Sequence, residues 1–309
     1  MPLIALWAFL ATAATIAAFF GRWSPLLDLV ANFRPHLAVL TLFPALVAGG
    51  RRWTKTALLA GAGTVVNVVV LAPLFIPPRL AAPLPQTVTE PFSVLTFNLL
   101  STNANYDEVI EFIREEAPDL ILLHEVSQPW EDALAQADLD YEITRGRTDS
   151  LIFGSLVLAP PEAEVRSYGF ARDSPRAIEV ILPSGVAVLG IHPVAPFPEA
   201  DTEARRFQFE FAALWALGRE GPRVIAGDFN ATPWSYPFRR LSATTGLRNS
   251  QRGYGLELTF PAASHPVFQI SIDHLLHSPD LAVIDRRLGP PLGSDHLPVL
   301  VELAMIEGS

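Results

Sequence analysis

The chain has 309 residues, no cysteine, a formal charge of −10 and a mean hydropathy of +0.30. Its length leaves room for one large domain and a smaller region, and the lack of cysteine excludes stabilisation by disulfides, which fits an exported domain that needs none. Residues 1–86 carry +5, whereas residues 87–309 carry 16 basic and 31 acidic side chains, or −15, a charge that disfavours a nucleic-acid partner without excluding one.

Residues 1–78 are predicted to form a membrane region with three transmembrane helices. The first 21 residues and residues 56–78 contain no charged side chain, and each stretch is long enough as a helix to cross about 30 Å of hydrocarbon. Only 16 uncharged residues form the middle segment, 35–50, which is short for a full span. A cleaved signal peptide is the alternative for the first segment, although that segment lacks a basic n-region.

The cluster "RRWTK", residues 51–55, predicts the orientation of the chain. The positive-inside rule places this cluster in the cytoplasm, so the helix that follows it runs outward. Everything after the proline-rich linker, residues 79–91, is therefore expected outside the inner membrane of a bacterial-type cell. No protein partner is predicted; the expected partners are the bilayer and a phosphorylated lipid.

In residues 92–309, short apolar runs typical of strands alternate with amphipathic segments typical of helices. Helices are predicted for 105–118, where Asn105 and Glu108 suit a capping arrangement, and for about 201–220. The arginines of "RRFQF", residues 205–209, are expected on a solvated helix face. The loop "PWSYPF", residues 233–238, is expected either to touch the membrane interface or to pack as an ordinary loop.

The apolar runs share one unusual property, which is that they stop at polar side chains. The residues at these stops are Asn98, Glu125, His192, Asp228 and Asn230, while Asp295 and His296 precede the last run. Asp273 is predicted to lie within a strand rather than at its end. Buried carboxylates need partners, so neighbouring strands of this kind predict a shared polar rim, and oxygen ligands favour Mg²⁺ or Mn²⁺ there.

Six ordered motifs in this region resemble the endonuclease/exonuclease/phosphatase superfamily: "LTFNLL", "LILLHEV", "GIHPVAP", "GDFNATP", "SIDHLLHS" and "GSDHLPV". The resemblance implies a four-layered α/β sandwich, in which two packed and mostly antiparallel sheets are flanked by helices, as the catalytic domain over 92–309. An external domain of this type after membrane helices also resembles the bacterial branch of glycopeptide-resistance lipid phosphatases. That branch is thought to act on undecaprenyl pyrophosphate or related carriers.

The resemblance assigns roles to the polar residues. It implies a metal held by Asn98, Glu125 and Asp295, and an attacking water oriented or deprotonated by Asp228. Asn230 would steady the phosphate, Asp273 would orient His296, and His192 would neutralise charge on the phosphoryl oxygens. His124 replaces the glutamine that is common before the glutamate and is either a further donor or structural; Arg176 is a candidate phosphate ligand.

These features predict a metal-dependent phosphohydrolase that cleaves a phosphoester or pyrophosphate of a membrane lipid, either undecaprenyl pyrophosphate-like or a phospholipid, on the extracytoplasmic face. Two alternatives stay open at this point. The first is an extracytoplasmic nuclease or phosphodiesterase that uses the same site, and the second is a catalytically idle domain that only binds its ligand.

Overall fold

A computed structural model describes residues 2–77, 87–146, 154–169, 177–196 and 202–307. Its N-terminal part is helical, and a second group of helices flanks the strands of the larger domain. The helices are α1 (Pro2–Ala17), α2 (Pro25–Ala31), α3 (Arg34–Gly50), α4 (Thr54–Leu71), α5 (Tyr106–Glu116), α6 (Gln128–Gln136), α7 (Thr202–Leu217) and α8 (Tyr236–Thr245).

Within the described residues, twelve strands form two six-stranded sheets. The strands are β1 (Phe92–Asn98), β2 (Leu120–Val126), β3 (Glu142–Gly146), β4 (Gly154–Ala159), β5 (Glu164–Tyr168), β6 (Ala177–Ile181), β7 (Ala187–Gly190), β8 (Arg223–Asp228), β9 (Arg248–Asn249), β10 (Asp273–His277), β11 (Leu281–Leu288) and β12 (Val299–Met305). The first sheet has the order β11-β12-β1-β2-β4-β3, and the second has the order β5-β6-β7-β8-β10-β9. Pairing is parallel for β1 with β2 and for β7 with β8 and antiparallel elsewhere, which confirms the prediction of mostly antiparallel sheets.

The alternation of side chains along the strands builds three buried layers of apolar packing. Residues such as Val94, Leu122 and Val224 face the other sheet and form the central core. The alternate residues of the first sheet pack under α5 and α6, and those of the second sheet pack under α7 and α8. Two helical layers therefore enclose two sheets, and the predicted four-layered sandwich is confirmed.

Local sequence signals explain where the predicted helices begin and end. Asn105 is the N-cap residue of α5, as expected, but the predicted capping hydrogen bonds do not form: its side-chain amide donates to the Glu108 carboxylate at 3.0 Å, and its own backbone N–H donates to Asn103. Ala117 then takes a left-handed conformation, and Pro118 prevents continuation. The second predicted helix, about 201–220, corresponds to α7 and ends at Leu217.

The N-terminal helices differ from the rest of the chain in the surface that they present. One helix, Thr54–Leu74, is long and apolar enough to cross a membrane, and the bent pair α2–α3 would be a second if it counts as one span. The shorter helix α1 is also apolar. In the described part of the chain, all but five of the exposed large hydrophobic side chains lie before residue 77; the five are Phe207, Leu214, Leu217, Val267 and Phe268.

The N-terminal helices pack against the larger domain at one end of their bundle. Trp234 is buried in a cluster with residues of these helices and their connections, among them Ala18, Leu37 and Leu74. Thr232 donates its hydroxyl to Asn32 at 2.8 Å. Of the two expectations for "PWSYPF", the structure supports packing for Trp234, since this side chain is only 4% exposed.

Candidate active site

Four polar side chains continue the inward-facing rows of the two sheets at one edge of the sandwich. Asn98 follows Val94 and Thr96 on the inner face of β1, and Asp228 follows Val224 and Ala226 on the inner face of β8. His192 extends the row of Val188 in the same way beyond β7, and Asp273 occupies the corresponding position on β10. Polar groups therefore replace apolar ones where the central core reaches the edge.

Asp273 belongs to a strand, as predicted, but it lies at the start of that strand rather than in its interior, since it is the first residue of β10. β10 runs antiparallel to β8, and Asp273 pairs in register with Asp228. The start of one antiparallel strand lies beside the end of its neighbour. Asp273 therefore reaches the same edge as the residues at which the other strands stop.

Glu125 reaches the edge through a β-bulge. Strict alternation along β2 would send its side chain to the helix-covered face with Ile121 and Leu123, but the pairing with β4 shifts register between His124 and Val126. Glu125 has φ +53°, and Val126 takes the place on the outer face instead. The bulge thus re-aims one carboxylate toward the cleft. Asn230, with φ +48°, is a second left-handed residue of the site.

Asn98 links the two carboxylates at the centre of the site. Its side-chain amide donates to Glu125 Oε1 at 2.9 Å and to Asp228 Oδ2 at 3.1 Å, while its oxygen accepts from the Leu100 N–H at 3.0 Å. His192 Nε2 lies 3.3 Å from Asp228 Oδ2 and 3.9 Å from Glu125 Oε1. The predicted residues from both sheets are therefore in direct contact.

Asp273 and His296 form an oriented pair on the other side of Asp228. His296 Nδ1 is 2.9 Å from Asp273 Oδ2, and its Nε2 points toward Asp228 Oδ2 at 3.7 Å. Ser294 fixes the backbone N–H of His296 and donates its hydroxyl to the Asn98 carbonyl at 2.7 Å. Asp295 approaches the same histidine, with a carboxylate oxygen 4.0 Å from Nε2.

Asn230 is held beside Asp228 by three contacts. Its backbone N–H donates to Asp228 Oδ1 at 2.8 Å, and its side-chain amide lies 3.1 Å from the Pro193 carbonyl and 3.4 Å from Asp228 Oδ2. The loop that follows β8 and the loop that carries His192 are therefore tied together. Gly227, with φ +145°, is required here because a Cβ would lie 1.9 Å from the Ile191 carbonyl.

The charges of the buried groups are set by one another. Burial alone would lower the pKa of His296, but the Asp273, Asp228 and Asp295 carboxylates raise it to about 10. The pKa of His192 is also raised, because Asp228 and Glu125 outweigh burial. Burial would raise the pKa of Asp228, yet the two histidines and the Asn230 N–H hold it well below its usual range. Asp228 is therefore ionised at neutral pH, with the His296 imidazolium on one side and His192 on the other.

His124 and Arg176 are the two predicted candidates for substrate binding. His124 is buried, with its ring centroid 5.4 Å from that of His192, and burial followed by the charge of His192 lowers its pKa to about 3. A neutral, buried ring favours the structural reading of His124 over a charged contact to phosphate. Arg176 lies outside the described residues.

Arg205 is a functional candidate that the sequence reading placed wrongly. Instead of lying on a solvated helix face, its side chain is buried and donates to the carbonyls of Val194 at 2.8 Å, Phe229 at 3.3 Å and Asn230 at 2.9 Å. Arg205 thereby connects the backbone after His192 with the backbone around Asn230. Nothing in the local sequence "RRFQF" distinguishes an arginine that is buried against backbone carbonyls from one that is exposed to solvent.

The donor set fits a hard divalent cation. Glu125, Asp228 and Asp295 offer carboxylate oxygens, and such oxygen ligands suit cations of the Mg²⁺ class. Asn98 would add its amide oxygen only after its side-chain amide turns, since in the structure its NH₂ group faces Glu125 and Asp228 and its oxygen accepts from the Leu100 N–H. Among described residues, Asp228, Asp273 and His296 also come within 4.8 Å of one another, a spacing that could hold a metal ion. His296 Nδ1 already faces Asp273, however, so we favour the side of the site at Glu125 and Asn98 for the cation.

Comparisons with known proteins agree with this geometry. The model of the Endonuclease/Exonuclease/phosphatase family matches residues 95–296. An endonuclease/exonuclease/phosphatase from Bacteroides vulgatus is similar with 18% identity and a TM-score of 0.57, covering 70% of this chain and 100% of that chain. No curated protein matches the chain.

Two further solved structures share the fold. The mannosyl-6-phosphatase from Bacteroides thetaiotaomicron has 17% identity and a TM-score of 0.50, covering 69% of this chain and 99% of that one. The catalytic domain of human Nocturnin, solved with a bound sulfate anion, has 18% identity and a TM-score of 0.52, covering 74% of this chain and 98% of that one.

Proposed function

The chain belongs to the endonuclease/exonuclease/phosphatase family, whose members hydrolyse phosphate esters, and we propose that it is a membrane-anchored, divalent-metal-dependent phosphohydrolase of a membrane lipid. The bond cleaved is a phosphoester or pyrophosphate, as in undecaprenyl pyrophosphate or a phospholipid. The observation that carries the lipid assignment is the direct contact of apolar N-terminal helices with the segment that follows Asp228, through Trp234 and Thr232.

Each residue of the cluster has a role in this proposal. Glu125 and Asn98, with Asp295, would hold Mg²⁺ or Mn²⁺, which when bound would stabilise negative charge on the phosphoryl oxygens. Asp228 is ionised and has a low pKa, so it is better suited to orient the attacking water than to remove its proton. His296 is a cationic donor for developing charge and His192 is a second donor, while Asp273 orients His296 and Asn230 steadies the phosphate.

The position of the basic cluster supports an extracytoplasmic catalytic domain. α3 and α4 form a hairpin whose turn carries Arg51 and Arg52, with Lys55 in the first turn of α4, while the opposite end of α4 leads to Leu74, in contact with the domain. The 18 residues of α4 separate the two ends by about 27 Å at the helical rise, close to the thickness of a bilayer core. With the basic turn in the cytoplasm, the catalytic domain lies outside, and α1, the α2–α3 pair and α4 are the membrane-spanning elements.

Charge favours a lipid over DNA as the substrate. Residues 87–309 carry a formal charge of −15, and a duplex-binding nuclease ordinarily uses several basic side chains to neutralise backbone phosphates. Apolar helices anchored in a bilayer would also keep the catalytic domain close to lipid headgroups, so the enzyme would not have to meet its substrate by diffusion through solution. Both observations favour the lipid phosphohydrolase over the nuclease that the same catalytic residues could support.

The test is a substrate panel with the full chain in detergent micelles. Undecaprenyl pyrophosphate, phosphatidylglycerol and single- and double-stranded DNA are incubated in Mg²⁺, Mn²⁺ or EDTA, and released phosphate and products are quantified. We expect metal-dependent product from a lipid, none in EDTA, and background rates for Asp228→Ala and Glu125→Ala. Cleavage of DNA alone would overturn the lipid assignment, and wild-type rates in both variants would overturn the hydrolase assignment.

A separate reporter experiment tests the orientation. Two separate fusions carry a reporter that is active only in the cytoplasm. In the first fusion the reporter follows Ser309, and in the second it is inserted in the turn between α3 and α4. The proposal expects activity from the second fusion and none from the first. The reverse pattern would place the catalytic domain in the cytoplasm.

A further inference from the structure

A second concave site lies where the connection between α1 and α2 meets α7 and α8. It is a cavity of about 490 Å³, and none of the residues of the catalytic cluster lines it. Its floor and walls are largely apolar, with Trp23, Phe209, Ala213, Leu214 and Leu217. Concave apolar sites of this size are typical of small-molecule ligands.

Arginines supply the polar part of the same cavity. Arg22, Arg205, Arg206 and Arg240 line it against two acids, Asp28 and Glu210, which gives a net charge of +2 within a strongly acidic domain. Arg240 is 3.7 Å from Glu210, a half-exposed pair that is worth little, and within the described residues Arg22 and Arg206 form no ion pair. Cations are therefore available at the opening of an apolar pocket.

The cavity has the features of the water–hydrocarbon interface. It begins four residues after the apolar helix α1, and Trp23 at its opening is 70% exposed, as is Leu214. Three of the five exposed large hydrophobic side chains of the catalytic domain, Phe207, Leu214 and Leu217, lie on α7, and Leu214 and Leu217 line this cavity. Tryptophan and arginine together with exposed aliphatic side chains are typical of the level of lipid headgroups.

We propose that this cavity binds one anionic phospholipid, with its phosphate at Arg22, Arg206 and Arg240 and the start of an acyl chain against Ala213, Leu214 and Leu217. The cavity fits such a lipid because Arg206 lies near the start of α7 and Ala213, Leu214 and Leu217 lie toward its end, which separates the charged part of the lining from the apolar part along one helix. The site is separate from the substrate site, since Arg205 stands between the cavity and the backbone of Phe229 and Asn230. The inference rests on the proposed membrane placement of the N-terminal helices, and it does not depend on the proposed substrate.

Lipid retention by the purified full chain tests the site. The chain is extracted from membranes containing equal phosphatidylglycerol and phosphatidylcholine, exchanged into detergent, and the bound lipids are counted by native mass spectrometry. We expect one phosphatidylglycerol per chain in wild type and at least a tenfold loss in Arg206→Gln/Arg240→Gln. The matched control, Arg166→Gln/Arg287→Gln, removes two exposed arginines elsewhere and should retain the lipid.

A cavity-filling variant and a competition with inorganic phosphate test the same site. Ala213→Trp fills the cavity without changing charge, and loss of lipid is expected from it too; it decides the matter if the double arginine variant fails to fold. Excess inorganic phosphate should leave the lipid in place, and displacement by phosphate alone would mean a free-anion site. Equal retention by Ala213→Trp and wild type, or equal retention of the two lipids, would overturn the proposal. A chain that retains lipid but releases no phosphate from any substrate would instead contradict the proposed function.

Discussion

Replacing Arg205 with methionine should impair both stability and turnover, although Arg205 does not touch the catalytic carboxylates. Its guanidinium donates to three carbonyls, those of Val194, Phe229 and Asn230, at 2.8, 3.3 and 2.9 Å. Hydrogen bonds from charged donors contribute about 1.5–3 kcal/mol each. Even at the lower end, losing three of them costs about 4 kcal/mol, while methionine retains part of the packing against Phe209. For a domain of this size, that corresponds to a fall in Tm of about 10 °C.

The same substitution should lower kcat more than it raises KM. Arg205 ties the backbone after His192 to the backbone of Asn230, so its loss frees two catalytic loops to move against each other. Displacements of about 1 Å in a catalytic group can lower a rate about 100-fold. We therefore expect about a 100-fold fall in kcat, measured on a soluble chromogenic phosphodiester with the full chain in detergent.

Two variants make this test specific. Arg205→Lys keeps the charge but cannot reach three carbonyls with a planar fork, so it should fall between wild type and methionine. Arg166→Met removes an exposed arginine paired only with Glu164 at 3.1 Å in the described structure and should change neither Tm nor kcat. If Arg205→Met matches Arg166→Met in both readouts, Arg205 does not position the loops.

Three further predictions concern single positions. Asp273→Asn should lower kcat about 100-fold or more, because His296 loses the carboxylate that orients its ring, whereas Asp285→Asn at an exposed position should keep the wild-type rate. Gly227→Ala should destabilise the fold by more than about 3 kcal/mol, since a Cβ would lie 1.9 Å from the Ile191 carbonyl oxygen. As a control, Gly221→Ala places its Cβ with no atom within 4 Å and should cost about 1 kcal/mol, through its φ of +78° alone. Equal urea midpoints for the two variants would contradict this. His277→Gln should reduce acid sensitivity. Burial lowers the pKa of His277 to about 4, so the unfolded chain binds the extra proton and this group destabilises the fold by about 2 kcal/mol as pH drops from 7 to 5. Tryptophan-detected urea melts should show a loss of stability over this range that is about 2 kcal/mol smaller in the variant than in wild type, the remaining loss coming from the buried His124 and His274, whose pKa values are also lowered; an equal loss in both proteins would contradict this.

Much of the fold and most of the site followed from the alternation of apolar and polar residues. An apolar run that ends at Asn98 or Asp228 predicts both a buried strand and a polar group at its edge, and the structure brings these residues into contact across the two sheets. The helix that begins after Asn105 and ends before Pro118 followed equally directly from local sequence. These features depend on neighbours within a few residues, which is why a single sequence contains them.

Other features depend on partners distant in the chain and could not be predicted. The bulge that turns Glu125 into the cleft arises from its pairing with β4, and strict alternation would have pointed the side chain the other way. Asp273 reaches the site because β10 runs antiparallel to β8, and Arg205 is buried because two loops close over it. The packing of Trp234 against the N-terminal helices is a tertiary contact of the same kind.

The central claim is that Glu125 belongs to a metal-dependent site that hydrolyses a lipid phosphate. The most direct measurement is phosphate release from undecaprenyl pyrophosphate by wild type, Glu125→Gln and Glu302→Gln across a Mg²⁺ titration. Glu302 lies on β12 opposite Ser93, at the far end of β1 from Asn98, and is a matched control. The account predicts Mg²⁺-dependent release by wild type and Glu302→Gln and a loss of at least 100-fold in Glu125→Gln. Release that does not depend on Mg²⁺, or that survives in Glu125→Gln, would contradict it.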